Sequence, residues 1–229
     1  MPYRAILFDV GGPLDLEFAW EIAVDSAVAA ACSLEGMRLD QAAIKEASER
    51  AVEAFAPDAY AHMISTLCGG DPATIDRVRR RVRAITGELD LFQLRPDIDG
   101  LLGRLTERGL KLGIVANQPA TIVPRLERAG IAGFFVYTGI TGTTGLRKPD
   151  PRAFTAAAEA LGVTPVQCIM VGDRIDNDIT PAKVVSMATI LFRSGRHRKQ
   201  RPRSAAEIPD AVVTDVPELE AAIAKLQKG

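Results

Sequence analysis

The stretch Ala5-Ile6-Leu7-Phe8-Asp9-Val10-Gly11-Gly12-Pro13-Leu14 decides the fold. An unbroken apolar run reads as a strand, and a carboxylate followed by two glycines marks its end. Working outward, similar short runs recur at Lys111 to Ala116, Phe134 to Tyr137, Cys168 to Val171, Ala188 to Phe192 and Ala211 to Val213. Helix signals fill the intervals. Asp150 reads as an N-cap with Pro151 at the first helical position, followed by the apolar set Phe154, Ala157, Ala158 and Leu161, with Gly162 as the stop. Gly109 likewise ends a helix that begins near Asp97. Strands alternating with helices predict an α/β fold, a mostly parallel sheet covered by helices.

The interval from Leu16 to Arg95 breaks this rhythm, since it holds several helical patterns and no convincing strand. It reads as an inserted all-helical domain, residues 16–95, between the two parts of an α/β core, residues 1–15 and 96–229. Within it Ile75, Val78, Val82 and Ile85 form an apolar stripe at helical spacing. Arg77, Arg79, Arg80, Arg81 and Arg83 occupy the other faces and read as a solvated surface. Gly69-Gly70 before Asp71-Pro72 marks a turn between helices.

Composition narrows the chemistry. The 229 residues are 47% hydrophobic and 25% charged, the balance of an ordinary globular chain. Only two histidines are present, His62 and His197, so zinc sites built on two histidines and other histidine-dependent schemes lack their raw material. Cys32, Cys68 and Cys168 are odd in number and widely spaced, which predicts neither a disulfide framework nor a thiolate metal site and fits a reducing, cytoplasmic setting. A net charge of −1 argues against nucleic acid or an anionic membrane surface as the partner. No run of apolar residues reaches the length of a membrane span. Small molecules become the default partner, and carboxylates are left to do the work.

In open parallel sheets ligands bind beyond the carboxyl ends of the strands. Asp9 stands at the end of the first strand, suited to act as a nucleophile or metal ligand. After Cys168 to Val171 comes Gly172-Asp173-Arg174-Ile175-Asp176-Asn177-Asp178, three carboxylates at one strand end. That density suggests a hard divalent cation such as Mg2+, which prefers oxygen ligands.

Phe8-Asp9-Val10-Gly11-Gly12-Pro13-Leu14, the helical insertion, Gly145-Leu146-Arg147-Lys148-Pro149-Asp150-Pro151 and Gly172-Asp173 to Asp178 together resemble, in order, the motifs of the haloacid dehalogenase (HAD) superfamily. The resemblance covers essentially the whole chain. It implies a Rossmann-like three-layer core with an inserted helical cap, and Mg2+-dependent phosphatase chemistry on a small phosphorylated metabolite. It makes Asp9 the nucleophile that becomes an aspartyl-phosphate, Lys148 the lysine that steadies the carboxylates and the transferred group, and Asn117 with its neighbour at position 116 the substrate-binding end of the second strand. The Mg2+ ligands would be Asp9, the backbone carbonyl of Gly11, Asp173 and, directly or through a neighbour, Asp178.

Two departures stand against these matches. Phosphatases of the family carry a second Asp, the general acid and base, where this chain has Gly11, and a Ser or Thr where it has Ala116. General acid-base catalysis contributes about 10^2 to 10^4 in rate and an oxyanion donor about 10^2 to 10^3. The expectation is therefore a slow enzyme, or one restricted to substrates whose leaving group departs unprotonated. The alternative is a phosphate-binding or regulatory homologue that has given up chemistry. Asp15 and Glu17 are candidate substitutes for the missing base. Dehalogenases of the superfamily also lack the second Asp, but Asp173 and Asp178 argue for the metal-dependent branch. Lys45, the only lysine of the insertion, would serve a phosphonate-cleaving scheme, yet it lies on a helix pattern, Asp40 to Phe55, whose apolar positions Ile44, Ala47, Ala51 and Ala54 leave it facing solvent.

Arg193-Ser194-Gly195-Arg196-His197-Arg198-Lys199-Gln200-Arg201-Pro202-Arg203 follows the strand Ala188 to Phe192 and so emerges on the edge that carries Asp9 and Asp173. It reads first as a mobile solvated loop and second as a collector of anionic substrate, while the absence of interleaved aromatics argues against nucleic acid. His197 is the one neutral-pH proton carrier that the sequence puts on that edge. The oligomeric state is not legible.

Overall fold

The computed structural model describes residues 3–228. The chain divides into two compact units, one of Met1–Leu16 and Gln93–Gly229, the other of Glu17–Phe92.

The first unit is built on a parallel sheet of six strands: β1 (Ala5–Phe8), β2 (Lys111–Ala116), β3 (Phe135–Ile140), β4 (Cys168–Gly172), β5 (Ala188–Phe192) and β6 (Ala211–Val213). Their order is β3-β2-β1-β4-β5-β6. Ala5, Ile6, Leu7 and Phe8 are fully buried, as central strands covered on both faces must be. Leu7, Phe154, Ala157, Ala158, Leu161 and Met170 share one core cluster, which seats the helix Arg152–Ala160 against the sheet. The chain runs outward on one side of β1 and then returns to add β4 on the other. The ends of β1 and β4 therefore form the switch point at which open sheets of this kind leave a crevice.

Three sequence expectations shift. The third strand is Phe135–Ile140, later than Phe134 to Tyr137, because Ala132–Phe134 closes a single tight turn and pairing with β2 continues through Thr138 and Gly139. The helix after Lys148 begins at Arg152 with Pro151 as its N-cap. Asp150 is still engaged there, its carboxylate accepting the Arg152 backbone N–H at 2.9 Å. The basic segment after β5 is a folded element. Arg196–Lys199 forms a 3-10 turn, the Arg193 guanidinium donates to the carbonyls of Arg198 and Gln200, and Arg203 pairs with Glu207. Gln200 anchors it by accepting the Ile175 N–H at 2.7 Å and donating to Asp176 at 3.1 Å.

The second unit packs four helices, α1 (Phe18–Leu34), α2 (Gln41–Glu53), α3 (Ala59–Leu67) and α4 (Pro72–Thr86), around Val28, Ala31, Cys32, Ile44, Ala47, Met63, Val78 and Val82. Asp40, Asp58 and Asp71 cap the last three by accepting the N–H of the third residue on, and Pro72 follows its cap at the first helical position. The α4 stripe ends on Thr86, buried with its hydroxyl on the Val82 carbonyl, while Ile85 is 45% exposed. The helical repeat from Val82 falls on its fourth neighbour, which is why Ile85 leaves the buried face. Arg77 and Arg81 are not simply solvated, since both pair with Glu35. Lys45 is exposed. The three cysteines are buried free thiols. Among the described residues no helix is long and apolar enough to cross a membrane.

His197 reverses the role that its position suggested. Burial, then the charges of Arg174 and Arg196, push its imidazole from 6.5 down to about 3, and its buried Nδ1 has no hydrogen-bond partner. It is neutral across the physiological range and cannot exchange protons there. A folded value below the unfolded one means that the unfolded chain takes up the proton first, so stability is intact above about pH 6.5 and falls toward pH 3. The expected slope is at most about 1.4 kcal/mol per pH unit, the one-proton limit, less what partial exposure screens. Denaturant unfolding of the wild type and of His197→Gln between pH 4 and pH 8 checks this. The variant should show the shallower slope below pH 6.5, and equal slopes would contradict the assignment.

Candidate active site

The loop after β1 is tight. Leu14 and Asp15 both donate their N–H to the Val10 carbonyl, and Gly12 donates to the Asp15 carbonyl. Gly12 adopts φ +82°, and a Cβ there would lie 2.6 Å from the Asp173 Cβ, so only glycine allows this backbone to press against that carboxylate. Gly172 has the same role for Asp178, since an added Cβ would lie 2.3 Å from the Asp178 Cγ. These two glycines thus make room for the acidic side chains.

Asp9, Asp173 and Asp178 converge, each offering an oxygen within 4.8 Å of the others. The Lys148 ammonium sits among them, 2.9 Å from Asp9 Oδ1 and 2.6 Å from Asp178 Oδ1. Lys148 is 2% exposed and Asp178 fully buried. Asp178 Oδ2 accepts the Arg174 N–H at 3.0 Å, and Asp9 Oδ1 accepts the Val10 N–H at 2.8 Å. Burial works against the charge on Lys148, but Asp178 and Asp9 outweigh it and hold the ammonium above its ordinary range. Burial pushes Asp178 up to about 6, with Lys148 opposing and Asp9 adding to the rise.

Three carboxylates and one ammonium leave an excess of negative charge in a nearly closed site. The donors are all hard oxygens, the set that Mg2+ takes and that soft metals do not. The residues present therefore fit a divalent cation, with Gly11 adjoining Gly12 in the same loop.

Asn117, at the end of β2, turns its amide onto the Lys148 backbone. Nδ2 donates to the Lys148 carbonyl at 2.9 Å, and Oδ1 accepts the Lys148 N–H at 2.9 Å. Thr141, just after β3, braces this junction, its hydroxyl 3.1 Å from Asn117 Oδ1, 3.3 Å from the Ala116 carbonyl and 2.7 Å from the Leu146 carbonyl. Ala116 is buried and offers only a methyl group where a hydroxyl would serve.

The Asp15 carboxylate accepts the Gln93 N–H at 2.9 Å, part of a short ladder in which Leu16 pairs with Gln93 and Arg95 with Leu14. Glu17 stands at the N-cap position of α1 and makes no side-chain cap hydrogen bond there. Sequence reasoning passed over Arg95, which donates from both Nε and Nη2 to the Gly12 carbonyl. Asp176, counted in the sequence among the three carboxylates of this strand end, pairs instead with Arg174 and Gln200. Arg95 had no spacing signal to announce it.

The chain matches a family model described as haloacid dehalogenase-like hydrolase over residues 3–185. It is 37% identical over 134 residues to a glyceraldehyde 3-phosphate phosphatase of Methanopyrus kandleri, covering 58% of each chain. It is 33% identical over 156 residues to a phosphoserine phosphatase of Thermus thermophilus, covering 66% of this chain and 58% of that one. The chain thus spans well under two thirds of the length of these curated relatives. The crystal structure of a predicted phosphoglycolate phosphatase from Haemophilus somnus superposes with a TM-score of 0.73 at 21% identity, covering 98% and 97% of the two chains, which shows the shared fold. From the family match over most of its length, this chain belongs to the haloacid dehalogenase-like hydrolases.

Proposed function

We propose that this protein is a Mg2+-dependent phosphatase of small phosphorylated metabolites, working through an aspartyl-phosphate on Asp9 and favouring substrates with good leaving groups. The observation that carries the reading is the placement of Lys148 Nζ within 2.9 Å of Asp9 and 2.6 Å of Asp178. Relatives named for glyceraldehyde 3-phosphate and phosphoserine support the substrate class. Buried free thiols support a cytoplasmic setting.

In the first step an Asp9 oxygen attacks phosphorus, the bond to the leaving oxygen breaks, and that oxygen takes the electron pair. Lys148 pairs with the nucleophile at 2.9 Å and aims it, while Asn117 fixes the Lys148 backbone. Mg2+, when bound by Asp9, the Gly11 carbonyl, Asp173 and Asp178, would offset the charge of the phosphoryl oxygens. With Gly11 in place of an acid, the leaving oxygen departs as an anion. In the second step water attacks phosphorus, the bond to the Asp9 oxygen breaks and returns its electron pair to the carboxylate, and, because Gly11 provides no base, the water's proton leaves on the released phosphate.

A second reading, a phosphate-binding homologue without turnover, is favoured by one observation: the Asp15 carboxylate is engaged by the Gln93 N–H. The two separate on treatment with acetyl phosphate and Mg2+ followed by intact-mass measurement. A phosphoryl adduct that is absent from Asp9→Asn supports the enzyme, and tight phosphate binding without an adduct supports the binding protein.

Aryl phosphates of graded leaving-group pKa should react progressively faster as that pKa falls. A flat profile in kcat/KM, which reports the reaction only as far as release of the leaving group, would remove the leaving-group argument. Gly11→Asp combined with Ala116→Thr should raise turnover of an alkyl phosphate by about 10^2-fold or more, the contribution of a restored acid and base. No gain in the same assay would mean that the loop after Asp9 does not present position 11 to the substrate.

A further inference from the structure

We propose that Arg95 is a positioning residue that clamps the loop after Asp9 against Asp173 and so sets the affinity of the carboxylate cluster for Mg2+. The proposal rests on the reading of that cluster as a cation site. Arg95 reaches two separate strand ends. Its Nε donates to the Gly12 carbonyl at 2.7 Å and its Nη2 to the Ser194 Oγ at 2.6 Å, with Nη2 also on Gly12. Its guanidinium lies over the Phe192 ring, 4.5 Å from the centroid. Gly12 follows β1, whereas Phe192 ends β5 and Ser194 follows it. Between these strands the sheet order puts β4, and Asp173 stands at the end of β4. Arg95 therefore spans the strand whose end carries the candidate ligand.

The far end of the clamp bears directly on that ligand, because Gly12 packs against the Asp173 side chain closely enough to exclude a Cβ. The Arg95 main chain is tied to the same loop, its N–H on the Leu14 carbonyl at 2.8 Å. A planar fork can hold one carbonyl with two nitrogens and stack on a ring at the same time, which an ammonium cannot. Position and charge predict opposite signs here. A cation near the cluster repels Mg2+, so charge removal alone would tighten binding, whereas loss of the clamp would weaken it.

The experiment is calorimetric titration of the full chain with Mg2+, with hydrogen exchange of the segment 10–16 measured in parallel. Arg95→Ala should weaken Mg2+ binding about tenfold or more, within the range found for residues that orient ligands, and speed exchange at Gly12, Leu14 and Asp15. Arg95→Lys, which keeps the charge, should recover only part of the affinity. Asp173→Asn is the control for the site itself. If it binds Mg2+ as the wild type does, or if the wild type binds none, the cation-site reading falls and takes the Arg95 proposal with it. Where Asp173→Asn loses binding and Arg95→Ala retains or gains affinity, the Arg95 proposal alone is overturned. Should Arg95→Ala fail to fold, the double variant Phe192→Leu, Ser194→Ala removes the supports and keeps the arginine. It should still weaken Mg2+ binding, and unchanged affinity would overturn the proposal.

Discussion

The convergence of Asp9, Asp173 and Asp178 around the Lys148 ammonium is the constraint on which the rest of the first unit depends. Two like charges about 4 Å apart repel by about 4 kcal/mol at the effective dielectric of a protein site, and burial adds the cost of lost hydration. Three carboxylates with oxygens within 4.8 Å of one another call for a counter-charge. Lys148 supplies one, and does so from a nearly closed position, where a single ammonium contacts two of the three. The remaining excess of negative charge is what a divalent cation would offset on the proposed reading of the cluster.

Holding that arrangement dictates residues that carry no charge. Gly12 and Gly172 lie where the acidic side chains pass against the backbone, and a single added carbon at either would displace a ligand. Asn117 uses both ends of its amide on the Lys148 main chain, so the lysine is fixed at its backbone as well as at its tip. Thr141 braces the same joint from the neighbouring strand. The parallel sheet brings these pieces together at no extra cost, because every strand points the same way and all the chain segments that matter leave from one edge.

This explains what could be read in the sequence and what could not. Strand positions were legible because burial on both faces writes an unbroken apolar run, as in Ala5 to Phe8 and Ala188 to Phe192. At the sheet edge β3 was less so, since half-exposed Thr138 and Tyr137 interrupt the signal. The residues brought together at the strand ends were legible as carboxylates and a lysine directly before Pro149. Arg95 was not, because its meaning lies in a carbonyl 83 positions away and a hydroxyl 99 positions away. The order of the basic segment was hidden for the same reason: Gln200 holds it through contacts with Ile175 and Asp176 that leave no local pattern. Charge counting alone made it look mobile.

The proton inventory then limits the chemistry from the protein side. Gly11 has no ionisable group, burial leaves His197 neutral through the range in which an imidazole would work, and one Asp15 oxygen accepts the Gln93 N–H. Forming an aspartyl-phosphate needs no proton if the leaving oxygen is stable as an anion, whereas hydrolysing it requires water to lose one. The two half-reactions are therefore unequally served by the same set of residues. On the proposed reading, such a site would accept a phosphoryl group more readily than it would release it, unless the substrate or a bound product carries its own base to Asp9.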